Sequence, residues 1–119
     1  MSPAAKSVYY FGFYLYLTGL TLIFVPNLFL KTLHLPETNE VWIRVVGVLV
    51  FCIGYYYHRT GAENIKAVLK HTIPTRIFVC IAFTAFAALD YVSPVLVVFG
   101  VIDLLGALWT WTTLRTEKA

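Results

Sequence analysis

Four stretches of this 119-residue chain are apolar enough to be read as bilayer crossings, and the first, Ser7–Val25 (SVYYFGFYLYLTGLTLIFV), holds no charged residue. About 20 helical residues rising ~1.5 Å each cross a hydrocarbon core of about 30 Å. In lipid, backbone polar groups must be satisfied within the structure that spans it, which restricts the chain to helices or a closed barrel. The runs lack the alternating polar positions of barrel strands, so they predict helices. Pro26 and Asn27 stop the first run. The second covers 41–57 (VWIRVVGVLVFCIGYYY), with Trp42 at one end and three tyrosines at the other, both suited to the headgroup region. The third, 76–92, follows Pro74, and the fourth, 94–114, begins almost at once, with Ser93 and Pro94 forming the turn. A single helix over both would be nearly twice as long as the hydrocarbon core, and Asp90, Ser93 and Pro94 are turn chemistry. The first run exceeds the length of a signal-peptide core, and no small-x-small cleavage site follows Val25, so it predicts a retained span.

The polar residues then decide orientation. Only 13% of the chain is charged, and the net charge of +3 is gathered in the connections and at the ends. Lys6, the middle connection with Arg59, Lys66 and Lys70, nearby Arg76, and the tail with Arg115 and Lys118 are basic, whereas 26–40 holds Lys31 alone. By the positive-inside rule, both termini and the middle connection face the cytoplasm. The segment 61–70 (GAENIKAVLK) sets Ile65, Val68 and Leu69 at i, i+3 and i+4, the pattern of a short amphipathic surface helix. The expectation is an all-α integral membrane four-helix bundle: one transmembrane domain over 1–119, both ends inside, in the cell inner membrane. Membrane lipid is the expected partner, with a second copy or a larger membrane complex as further ones. No basic stripe for nucleic acid is present.

Asp103 is the first candidate for chemistry, because it falls near the middle of the fourth run, where an isolated charge costs several kcal/mol. Around it Gly100, Ala107 and Thr110 form a small, polar face, and Gly106 is close by. The second run carries Arg44, Gly47, Phe51, Gly54 and His58 on one face, and the first carries Tyr9, Gly12, Tyr16 and Gly19. Gly12, Gly19, Gly47, Gly54, Gly100 and Gly106 are therefore candidate helix-packing positions. Tyr16 and Asp103 fall at similar depth, and an extended Arg44 reaches toward the same level. These three predict an interior polar cluster, with Thr18 and Trp109 as outer members. Such a cluster serves either to lock the bundle or to line a ligand or proton site. Arg76, at the cytoplasmic edge, is expected to snorkel into headgroups. The tyrosine-rich first helix also suits a flat apolar ligand. Cys52 and Cys80 lie in apolar runs and read as buried free thiols. No metal set or phosphate loop is present, and the histidines offer no pair for a buried haem, so no cofactor is expected.

The strings WIRVVG (42–47), GYYY (54–57) and FGVIDLLGALWT (99–110) resemble a family of short four-helix bacterial membrane proteins to which no activity is attached. The resemblance implies the architecture and leaves the activity open. Small multidrug resistance transporters are similar in length, but they depend on a glutamate in the first helix, and Ser7–Val25 has none. Without a nucleophile and base pair, the chain is expected to be no enzyme. It reads as an accessory subunit or a binder of lipid-like ligands. The alternative is a small proton-coupled transporter in which Asp103 exchanges the proton.

Overall fold

The computed structural model describes residues 2–92 and 94–118, with the side chains of 117 and 118 left out. It is all-α, with no strand among the described residues. The helices are α1 (Pro3–Phe24), α2 (Pro26–Thr32), α3 (Trp42–Ala62), α4 (Lys66–Leu69), α5 (Thr72–Ala88) and α6 (Leu96–Lys118). α1 starts four residues earlier than its apolar run because Ser2 caps it: the Ala5 N–H donates to Ser2 Oγ at 3.1 Å, and Pro3 takes a first-turn position where its missing N–H costs nothing. For the same reason α5 begins before Pro74 rather than after it, the proline lying in its first turn.

Three segments are long and apolar enough to cross a membrane: Pro3–Phe24, Lys66–Ala88 and Leu96–Thr116. α3, at 21 residues, is long enough but is not among them. Arg44, Tyr55, Tyr56, Tyr57, His58 and Arg59 dilute its apolar stretch. It also runs five residues past Tyr57, where the apolar pattern ends. That extension takes Gly61 and Ala62 out of the expected surface helix and shrinks it to the single turn of α4. Of its apolar positions only Leu69 is buried, while Ile65 and Val68 stay exposed. The turn between α5 and α6 spans Leu89 to Val95, longer than the two residues expected, and Ser93 lies outside the described residues.

Three helices end in the same way. His34, Asn64 and Asp90 adopt positive φ (58°, 54° and 60°), each one residue past a C-cap. The next N–H reaches back across the turn, as Leu35 to Leu30 O, Ile65 to Thr60 O and Tyr91 to Phe86 O. These are Schellman caps, which satisfy terminal carbonyls that a helix leaves open. Asp90 thus has a structural duty at its turn.

The helices form a layer, not a closed square: α1 packs along α3 on one side and α6 on the other, and α5 packs on the far side of α6. The extents, 48 × 29 × 18 Å, match that flat shape. The dry core sits at the end where the N-terminus meets the middle connection, with Ala4, Ala5, Val8 and Leu69 buried and Tyr57 and Leu114 against them. Elsewhere large apolar side chains point outward, including Leu17 at 70%, Phe78 at 68% and Leu105 at 60% exposure. Contiguous apolar surface on this scale marks contact with lipid or protein rather than water.

Candidate functional site

Small residues set the spacing on which the polar groups depend. On α1 and α3 they recur every seven positions and meet in antiparallel order, Ala5 with Gly61, Gly12 with Gly54 and Gly19 with Gly47. A Cβ at Gly19 would lie 2.8 Å from the Gly47 carbonyl oxygen, one at Gly54 3.0 Å from the Gly12 oxygen, and one at Gly61 2.7 Å from the Ala5 oxygen. The two backbones therefore touch along their full shared length, as small residues allow in membrane helix pairs.

Between α1, α5 and α6 lies a polar centre organised by Arg76. This side chain is only 2% exposed. Its Nε donates to Thr72 O at 3.1 Å, and Nη2 donates to Thr72 Oγ1 at 2.9 Å and Thr110 Oγ1 at 2.8 Å. Thr110 Oγ1 also meets Ser7 Oγ at 2.6 Å, which carries the network onto α1. The guanidinium stacks over the rings of Phe11 (5.0 Å) and Tyr57 (5.6 Å). Nη1 has no hydrogen-bond partner and rests above Gly106, where a Cβ would come within 2.9 Å of it. Gly106 is thus the floor of the guanidinium seat.

Asp103 lies one turn along α6 from that seat and stays partly exposed. It is within electrostatic reach of Arg76, Tyr57 and Tyr14. It makes no hydrogen bond or ion pair with the described residues, among which the ion pair formed is Arg59–Glu63 at 3.1 Å. Gly100 is buried one turn further, against Cys80.

The expected grouping of Tyr16, Arg44 and Asp103 is not what the structure brings together. Arg44 is exposed and donates through Nη1 to Ile23 O, one of the last carbonyls of α1. A cation there completes the end of the neighbouring helix, so it has no reason to reach inward. Tyr16 instead pairs with His58 Nδ1 at 3.0 Å. Thr18 turns back to Tyr14 O at 3.0 Å, and Trp109 is 47% exposed. Cys52 is exposed and Cys80 half-buried, both as free thiols, so neither is the buried packing residue expected.

Two residues take places that the sequence alone does not give them, Arg76 between α5, α6 and α1 and His58 beside Tyr16. A helix beginning beside Arg76 would let it snorkel into headgroups; with α5 starting at Thr72, Arg76 is one turn inside and faces α6. The cue was available in Gly106, Ala107 and Thr110, a small face that needs a long side chain opposite. His58 follows the apolar run that ends at Tyr57, and because α3 continues to Ala62 it lies inside the helix. Comparison with protein-family models, with curated proteins and with solved structures finds no match for this chain.

Proposed function

We propose that this chain is a four-crossing protein of the inner membrane, with both termini cytoplasmic, that works by binding and not by catalysis. It holds lipid-like molecules, alone or as an accessory subunit of a larger membrane complex. Two features support α3 as the fourth crossing: it lies against α1 by its backbone, and its lipid-side residues Val45, Leu49 and Ile53 are exposed. The observation that carries the binding reading is Arg76. A buried charge in lipid is expensive and marks either a site or a lock. Here the hydrogen-bonded nitrogens are engaged by Thr72 and Thr110, two ring faces cover the group, and its exposure is 2%. The interior charge is therefore spent on joining helices, and recognition falls to the lipid-facing flanks. Native mass spectrometry of the protein released from mild detergent tests this. The expected result is a defined lipid-like adduct or a stable larger complex; a bare protein of full thermal stability, recovered alone, overturns it.

A second reading rests on Asp103, which is partly exposed and without a direct hydrogen-bond partner among the described residues. Under it, the carboxyl takes up and releases a proton during transport of a small solute. Proteoliposomes energised with a pH gradient would then show solute uptake that Asp103→Asn abolishes, while Arg76 and the fold stay in place. Uptake that is the same in both proteins excludes this role.

A further inference from the structure

Outside the Arg76 centre, the structure holds a second polar pair, on the flank of the α1–α3 unit, that neither the lock nor proton exchange uses. We propose that Tyr16 and His58 form the head-recognition site for a flat, carbonyl-bearing ring on an apolar tail, the chemistry of a lipid-soluble quinone. The inference rests on the binding reading above and gives it a location and a ligand class.

The site is built, and its construction can be traced to sequence. Gly12 brings α1 onto α3 at the level of His58: a Cβ there would lie 2.8 Å from His58 N and 3.2 Å from Tyr57 Cβ. That closeness lets Tyr16, one turn further along α1, reach His58 Nδ1 at 3.0 Å. Three rings pack about the imidazole, Tyr9 at 5.3 Å, Phe13 at 5.2 Å and Tyr16 itself at 5.8 Å, and Phe51 backs Tyr16 at 4.7 Å. The bond to Tyr16 engages Nδ1 and leaves Nε2 as the ring nitrogen without a partner among the described residues; in the tautomer whose Nδ1 accepts from the phenol, Nε2 carries the proton. It is this tautomer that the proposal uses, because its Nε2–H is a donor within an aromatic setting.

The chemistry of the surroundings narrows the acceptor. Among the described residues no carboxylate is bonded to the imidazole, and the adjacent Arg59 is held by Glu63 at 3.1 Å, so the patch has no surplus charge to attract an ion. A neutral carbonyl oxygen fits the donor, and a planar ring fits the aromatic faces, where stacking contributes beyond area burial. Phe13 at 43% and Tyr55 at 52% exposure leave the approach open from the bilayer side. His58 lies four residues before the end of α3, or about 6 Å along the axis, which sets a ring head near the interface with its tail in the hydrocarbon.

The test measures equilibrium binding of radiolabelled decylubiquinone to the full chain in phosphatidylcholine nanodiscs, against protein-free discs. The wild type is expected to bind saturably at about one per chain, with the infrared band of one quinone carbonyl moved to lower wavenumber. His58→Phe should weaken binding at least about tenfold, and Tyr16→Phe, which keeps the ring, about threefold to tenfold, the range for one lost or misdirected hydrogen bond. If His58→Phe does not fold, as judged by circular dichroism, Tyr16→Phe alone decides. Binding no greater than in protein-free discs, or equal in wild type and Tyr16→Phe without the carbonyl shift, overturns the proposal. Label that excess unlabelled quinone does not displace also overturns it, because that uptake is partition into the bilayer rather than binding to a site. A lipid adduct in native mass spectrometry with no quinone binding would leave the binding reading standing and remove only this ligand class.

Discussion

Arg76→Ala is expected to lower the unfolding free energy of the protein in micelles by about 3–5 kcal/mol, the range for removing one member of a buried polar network and leaving a cavity. The substitution strands Thr110 Oγ1 with Ser7 and removes the cation that Phe11 and Tyr57 cover. It also leaves Asp103 without the positive charge within its reach. Arg76→Met is the informative partner, because it fills the same seat above Gly106 without a charge. Buried ionic groups replaced by apolar ones of similar volume are often near neutral, so its loss is expected to stay within about 1.5 kcal/mol. Both are measured by reversible denaturation followed by circular dichroism. An alanine variant as stable as wild type would remove Arg76 from its place as the tie between α1, α5 and α6.

The second large effect belongs to the α1–α3 contact. Gly12→Ala, Gly19→Ala and Gly61→Ala should each cost about 2–3 kcal/mol, as overpacking does where the obstacle is backbone and cannot rotate away. In each case the added carbon comes within 2.6–2.9 Å of a backbone atom or a Cβ of the other helix. Gly100→Ala is the control: its nearest obstacle is Cys80 Cα at 3.0 Å, with the next at 3.5 Å. Alanine gains about 1 kcal/mol in helix propensity over glycine, which offsets part of that contact, so this variant should lose clearly less than the other three. Equal losses at all four positions would mean that the glycines matter for something other than backbone approach. Loss of quinone binding in Gly12→Ala would add nothing independent, since that residue also seats His58.

The helices themselves were legible because apolar length is a strong signal, and α1, α5 and α6 overlap the runs that announce them. Their ends were not, because the local chemistry of Ser2, Pro3 and Pro74 moves each start outward, and a tyrosine triplet looked like a terminus when α3 in fact continues through it. Those few residues decided the site. A start at Thr72 buries Arg76, and an end at Ala62 brings His58 inside a helix. The glycines could be named as packing positions, yet which face meets which is a tertiary fact. Asp103 stands out in the sequence as the mid-helix acid of its run, but depth alone suggests Arg44 as its neighbour, whereas Arg44 is engaged at the far end of α1.

The sevenfold spacing of the α1–α3 contacts also bears on how the pair finds its alignment. Sliding one helix by a heptad, about 10.5 Å, would still set Gly12 beside Gly61 and Gly19 beside Gly54, or, in the other direction, Ala5 beside Gly54 and Gly12 beside Gly47, so small residues alone leave three alignments open. The Tyr16–His58 bond and the Ser2 Oγ bond to Asn64 Oδ1 at 2.9 Å form in one of them only. Polar groups at the C-terminal end of α3 thus act as an index mark on an otherwise repeating rail, and a chain stripped of both would be expected to populate a slipped pair.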